Sequence, residues 1–113
     1  MLCPGGAACI GQNGKWTKTV KPWPAEIDDW PHYLYDPQGS SVSNDRRAGH
    51  PRGMQWTGGP FWARSHEHTA SMQAMVSAGG RVFYVMDEGS TESIQLPSNL
   101  VLVARDAFNG TVL

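Results

Sequence analysis

Prolines at 22, 24, 31, 37, 51 and 60 constrain this chain more than any other feature. Proline fixes φ and has no amide hydrogen, so it interrupts both ladders and helices. Regular strands and long helices are therefore not expected between residues 19 and 71. Ala25-Glu-Ile-Asp-Asp-Trp30 leaves room for one short helical turn. The rest reads as a long loop carrying Trp23, Trp30, Tyr33, Tyr35, Trp56, Phe61 and Trp62, with Trp16 just ahead of it. Large aromatics in a loop pin it to a neighbouring sheet. Loops of this length are uncommon unless they are functional or packed on something. The first half alone cannot bury enough apolar surface to offset its ordering entropy.

The aliphatic runs lie in the second half. Gln73-Ala-Met-Val-Ser-Ala78 and Arg81-Val-Phe-Tyr-Val-Met86 flank Gly79-Gly80, the signal of a tight hairpin. In the second run Val82, Tyr84 and Met86 fall on one face and Phe83 and Val85 on the other, so both faces are apolar, as in a strand covered on both sides. The segment 87–93 is polar and glycine-bearing, and Leu96-Pro97-Ser98-Asn99 makes a second break. Leu100-Val-Leu-Val-Ala104 is a third apolar strand. Asn109-Gly110 marks a turn, and Thr111-Val-Leu113 is expected to begin a fourth strand that the chain end cuts off. Four short strands joined by tight turns form an antiparallel meander, the outline of one propeller blade.

Bulk properties exclude several classes. The chain has 113 residues, which bounds it to one small domain. Nine basic and ten acidic residues give a net charge of −1 and no basic stripe, so a nucleic-acid partner is not expected. No apolar run reaches the length of a membrane span. Residues 1–10 lack the basic start and long apolar core of a signal peptide, so the signal of an exported parent would lie upstream. Cys3 and Cys9 are too few for a disulfide framework; they read as small buried residues near a strand, with a bridge between them as the alternative in an oxidising compartment.

Ala8-Cys-Ile-Gly-Gln-Asn-Gly14 and Ala104-Arg-Asp-Ala-Phe-Asn-Gly110 share Ala, Asn and Gly at the same spacing. They lie much farther apart than the roughly 40–50 residues of common propeller repeats, so the proline-rich stretch would be an insertion. Ala104-x-Asp106-x-x-Asn109-Gly110, followed by Thr111-Val-Leu113, resembles the blade signature of pyrroloquinoline-quinone (PQQ)-type β-propellers, Ala-x-Asp-x-x-Thr-Gly-x-x-Leu-Trp. Asn109 stands where that pattern has threonine, and its tryptophan would fall one residue past Leu113. The earlier copy departs more, with Ile10 at the aspartate position. Residues 23–34, 50–56 and 77–84 are also similar to segments of PQQ-binding-like repeat proteins.

The resemblance implies an all-β propeller fragment: the end of a preceding blade over 1–18, a loop-rich insertion over 19–71, and one four-stranded blade over 72–113. It implies neighbouring blades of a parent chain as partners, and a bacterial parent that is periplasmic or extracellular. Ala104, Asp106, Asn109 and Gly110 would be structural: Ala104 allows close approach to the next blade, Asp106 accepts turn amides, and Gly110 supplies a left-handed residue. Membership does not by itself imply a bound quinone. In a dehydrogenase parent, PQQ and Ca²⁺ would be the cofactors.

No catalytic set can be assembled from the remaining residues. His66 and His68 would share one side of an extended segment and are the candidate metal ligands, although a third ligand is missing and Arg64 would oppose a cation. His32 and His50 are isolated. The acidic pairs Asp28-Asp29 and Asp87-Glu88 lack the alternating oxygens of a calcium loop and read as a helix start and a polar turn. Arg46, Arg47, Arg52 and Arg64 form a loose basic group suited to a carboxylate of the next blade or another anion. The expected function is a structural and binding scaffold, with part of a PQQ-dependent dehydrogenase as the alternative.

Overall fold

A computed structural model describes residues 2–59, 64 and 72–113, and for residue 73 the backbone alone. Among the described residues the protein is all-β, with no helix and two small antiparallel sheets. These residues divide into two compact units. One contains residues up to Asp28 with Asn44–Gly49; the other contains Asp29–Ser43 and the described residues from His50 onward.

The first unit holds β1 (Ala7–Gln12) and β2 (Lys15–Val20), paired from Ala7↔Val20 to Gln12↔Lys15. Asn13 and Gly14 make the two-residue turn, both with positive φ (51° and 75°). That geometry matches the right-handed twist of the strands, and asparagine and glycine tolerate it best. The hairpin crosses the expected boundary between residues 18 and 19. Its side chains are largely exposed, including Ile10 and Trp16. Cys9 is exposed on β1 rather than buried, Cys3 is half-buried, and both are free thiols. The expected helical turn at 25–30 is absent; the Ile27 amide donates to the Pro24 carbonyl (3.3 Å) and closes an isolated turn.

The second unit is built on β3 (Met72–Ala78), β4 (Arg81–Asp87) and β5 (Leu100–Asp106), ordered β3-β4-β5. These are the three strands that the apolar runs predict. Gly79 and Gly80 have φ of 54° and 73° and join Ala78 to its partner Arg81. A bulge lies between Met72 and Ala74. The expected fourth strand is reduced to a single bridge, Arg105↔Val112, flanked by hydrogen bonds from Asp106 N to Thr111 O (2.8 Å) and Leu113 N to Ala104 O (3.0 Å). At the other edge Trp30 bridges Ser77.

Register sorts the sheet into two unequal faces. Val82, Tyr84, Met86, Val101 and Val103 share one face and are buried or half-buried, Val103 being the one buried apolar residue among those described. Phe83, Val85, Leu102 and Ala104 share the other with Val76 and Ala74. On that face Leu102 is 72% exposed, and Leu100, at its end, is 66% exposed.

Candidate functional site

The signature residues gather in the turn that follows β5. Asp106 ends the strand, and its Oδ1 accepts the amides of Phe108 (2.8 Å) and Asn109 (3.0 Å). An aspartate one or two residues ahead of a turn is suited to this, because its short carboxylate mimics a backbone carbonyl. Asn109 Oδ1 accepts the Thr111 amide (2.8 Å), and Gly110, at φ 73°, returns the chain. Ala104 is half-buried, pairs with Phe83, and its carbonyl accepts the Leu113 amide. The two aligned repeats turn differently. Asn13-Gly14 is a two-residue hairpin turn, whereas Asp106 bonds across to Thr111 and encloses Ala107–Gly110.

Trp56 covers this turn. Its indole Nε1 donates to Ala107 O (2.9 Å), and a Cβ on Gly110 would lie 2.5 Å from its ring. Gln55 Nε2 adds a bond to Phe108 O (2.9 Å). Arg105 ties three segments together: Nε donates to Tyr84 OH (2.8 Å), Nη1 to Gly110 O (2.8 Å) and Nη2 to Gly59 O (3.1 Å).

A second constellation sits at the other end of β4. The Arg64 side chain is 3% exposed, and its Nη1 lies 2.8 Å from Asp87 Oδ2. Nη1 also donates to Pro97 O and Ser98 Oγ (both 3.2 Å). Nη2 donates to the carbonyls of Ser93 (3.4 Å), Ile94 (3.3 Å) and Leu96. Asp87 Oδ1 accepts the Asn99 and Gly89 amides (both 2.9 Å). Those two amides foremost, with smaller help from Ser98 and Arg64 and against the opposing pull of burial, hold its carboxyl down to about 2 from an ordinary 3.8. A cleft of about 560 Å³ is lined by Gly59, Arg64, the Asp87–Glu92 stretch and Arg105.

The other sequence candidates do not converge. His66 and His68 lie outside the described residues. His32 Nδ1 is 3.3 Å from Tyr35 O in an exposed loop, and His50 is exposed. Arg46 and Arg47 belong to the first unit, where Arg47 makes a long exposed pair with Glu26 (3.9 Å); Arg52 and Arg64 belong to the second. Asp28 and Asp29 are loop anchors rather than a helix start: Asp28 Oδ2 accepts the Asn44 amide (2.8 Å), and the Asp29 carboxylate accepts the Gly79 amide (3.1 Å). Among the described residues no three His, Cys, Asp or Glu side chains come together as metal ligands. The described residues do not fit a quinone with its calcium, since the best-placed carboxylate, Asp87, is committed to two amides and a guanidinium. Among those residues no helix is long and apolar enough to cross a membrane.

Sequence reading missed the roles of Arg64, Arg105 and Trp56. Trp56 carried a signal as a loop aromatic in need of a surface, and Arg64 as one of a basic group suited to a carboxylate, although its partner, Asp87, is on β4 of the same chain. No family model, curated protein or solved structure matches the chain.

Proposed function

We propose that residues 72–113 are one blade of a PQQ-type β-propeller, and that the chain serves as a structural and binding scaffold packed against similar blades. The observation that carries this reading is the open apolar face of β3-β4-β5. Leu102 and Leu100 are mostly exposed there, beside Val85, Phe83 and Val76. Burying a leucine fully is worth about 1.5–3 kcal/mol, so a face of this kind gains most from a flat apolar neighbour. Sheets stack face to face at about 10 Å, which suits such a surface better than an irregular partner does. The signature turn supports the same reading, because Asp106 Oδ1 and Asn109 Oδ1 accept backbone amides of the turn and Gly110 returns the chain at φ 73°.

A head-to-tail fusion of two copies of the chain tests this. The expected result is a higher unfolding midpoint and a steeper denaturant dependence than the single chain shows, as one copy covers the open face of the other. A fusion that unfolds at the midpoint and slope of the single chain would rule out the stacked-blade reading.

A further inference from the structure

We propose that Asp87 and the 93–98 backbone form a guanidinium-binding cage, a site with its own ligand chemistry that Arg64 fills in cis. The loop supplies an acceptor set. Six oxygens (those of Asp87, Ser93, Ile94, Leu96, Pro97 and Ser98) converge on the two terminal nitrogens of one side chain. Four of them are main-chain carbonyls turned toward one buried side chain, and of these, among the described residues, only the Ser93 carbonyl also takes a loop amide, that of Leu96 (3.3 Å). Hydrogen bonds to a charged donor are stronger than neutral ones, so the six contacts hold the loop in this shape around the cation at its centre. The side chain is almost wholly buried, and its one full counter-charge is Asp87, 2.8 Å away.

The distribution of the oxygens selects the ligand. They fall into two groups of three, one around Nη1 and one around Nη2, so the four terminal N–H groups of a planar fork share them, two on each nitrogen. A metal ion would need its oxygens about 2.3–2.6 Å from a single centre. A lysine ammonium is a point charge and can satisfy one group but not both. The cage needs no neighbouring blade and stands apart from the propeller reading. Another arginine-bearing segment can enter it only by displacing Arg64.

Amide hydrogen exchange on the full chain and on Arg64→Ala decides the matter. Loop amides 88–99 are expected to be protected in the unsubstituted chain and to exchange at least tenfold faster in the variant. Methylguanidinium at about 10 mM should restore protection roughly tenfold if it binds near ~1 mM. The same concentration of urea, ammonium or Ca²⁺ should not. Loop amides that exchange in the unsubstituted chain as fast as an unstructured peptide overturn the proposal. So do a variant loop as protected as the original, a failure of methylguanidinium to restore it, and equal restoration by Ca²⁺. Should Arg64→Ala lose protection across β3–β5 as well, Arg64→Lys is the deciding variant. It is expected to loosen the loop while the sheet stays protected, and a lysine loop as protected as the original overturns the proposal.

Discussion

Two strands of the same sheet end in aspartate, and the chain beyond them behaves differently. Asp106 closes β5 and Asp87 closes β4, and each accepts the amide two residues ahead through Oδ1. After Asp106 the turn is complete within a few residues, with Asn109, Gly110 and the Asp106 backbone supplying its bonds. After Asp87 the loop 88–99 has its base closed by Glu88 N to Asn99 O (2.8 Å), but its far side is organised by Arg64. A local code is sufficient for a short turn. This long loop takes a side chain from elsewhere, because its own backbone bonds, Glu88 to Asn99 and Leu96 to Ser93, leave the Ile94, Leu96 and Pro97 carbonyls to the guanidinium.

The sharpest break in this comparison is Gly110→Ala. A Cβ there would lie 2.5–2.6 Å from the Trp56 ring, at a φ of 73°. Strain and overpacking together predict a loss of about 2–4 kcal/mol in denaturant unfolding. A loss below about 0.5 kcal/mol would show that Trp56 swings aside freely. Next comes Asp106→Ala, which strips two turn amides of their acceptor and should cost about 1–2 kcal/mol by the same measurement. Its exchange signature should stay within residues 106–113 and leave loop 88–99 unchanged.

Asp87→Asn sharpens the contrast through pH. The folded carboxyl lies near 2, below its ordinary 3.8, so its contribution is complete above about 4 and is lost as pH falls toward 2. The variant should therefore show a flatter decline in stability than the original chain between pH 4 and pH 2. Parallel declines would mean that other carboxylates govern the acid limb. The smallest effect is expected at Leu102→Thr. In the single chain it should change stability by less than about 0.5 kcal/mol, because the side chain is already 72% exposed. In the two-copy fusion the same substitution should remove much of the gained midpoint.

Strands β3, β4 and β5 were legible because each is a short apolar run bounded by turn residues, and Gly79-Gly80 names its own turn type. The β1-β2 hairpin was legible only as the end of a preceding blade over 1–18, without strand bounds, although Asn13-Gly14 is the same kind of signal. Lys15-Trp-Thr-Lys-Thr-Val20 carries little apolar content, and its pairing is set by the turn and by the bonds that join Gly5 and Gly6 to Lys21. The Asp106 turn could be read because all its partners lie within a few residues. The Arg64 cage could not, since nothing in the spacing of residues 64, 87 and 93–98 links a guanidinium to carbonyls that any residue type would supply. Cys9 was misplaced because a small apolar residue in a strand is ordinarily inside, and this strand has no inside.

Arg105 has a consequence for the order in which the second unit forms. The Gly79-Gly80 hairpin closes over two residues and is of the kind that assembles in about 1–10 μs. Adding β5 requires closing the loop 88–99 first, and Arg105 can reach Gly59 O only after that. The bond to Gly110 spans five residues and can form early, whereas those to Tyr84 and Gly59 span 21 and 46 residues and are expected to close late, as a clasp fastened after the cloth is folded. Such late contacts slow unfolding more than they speed folding, so the lifetime of the native sheet, rather than its rate of birth, is where this arginine should be felt.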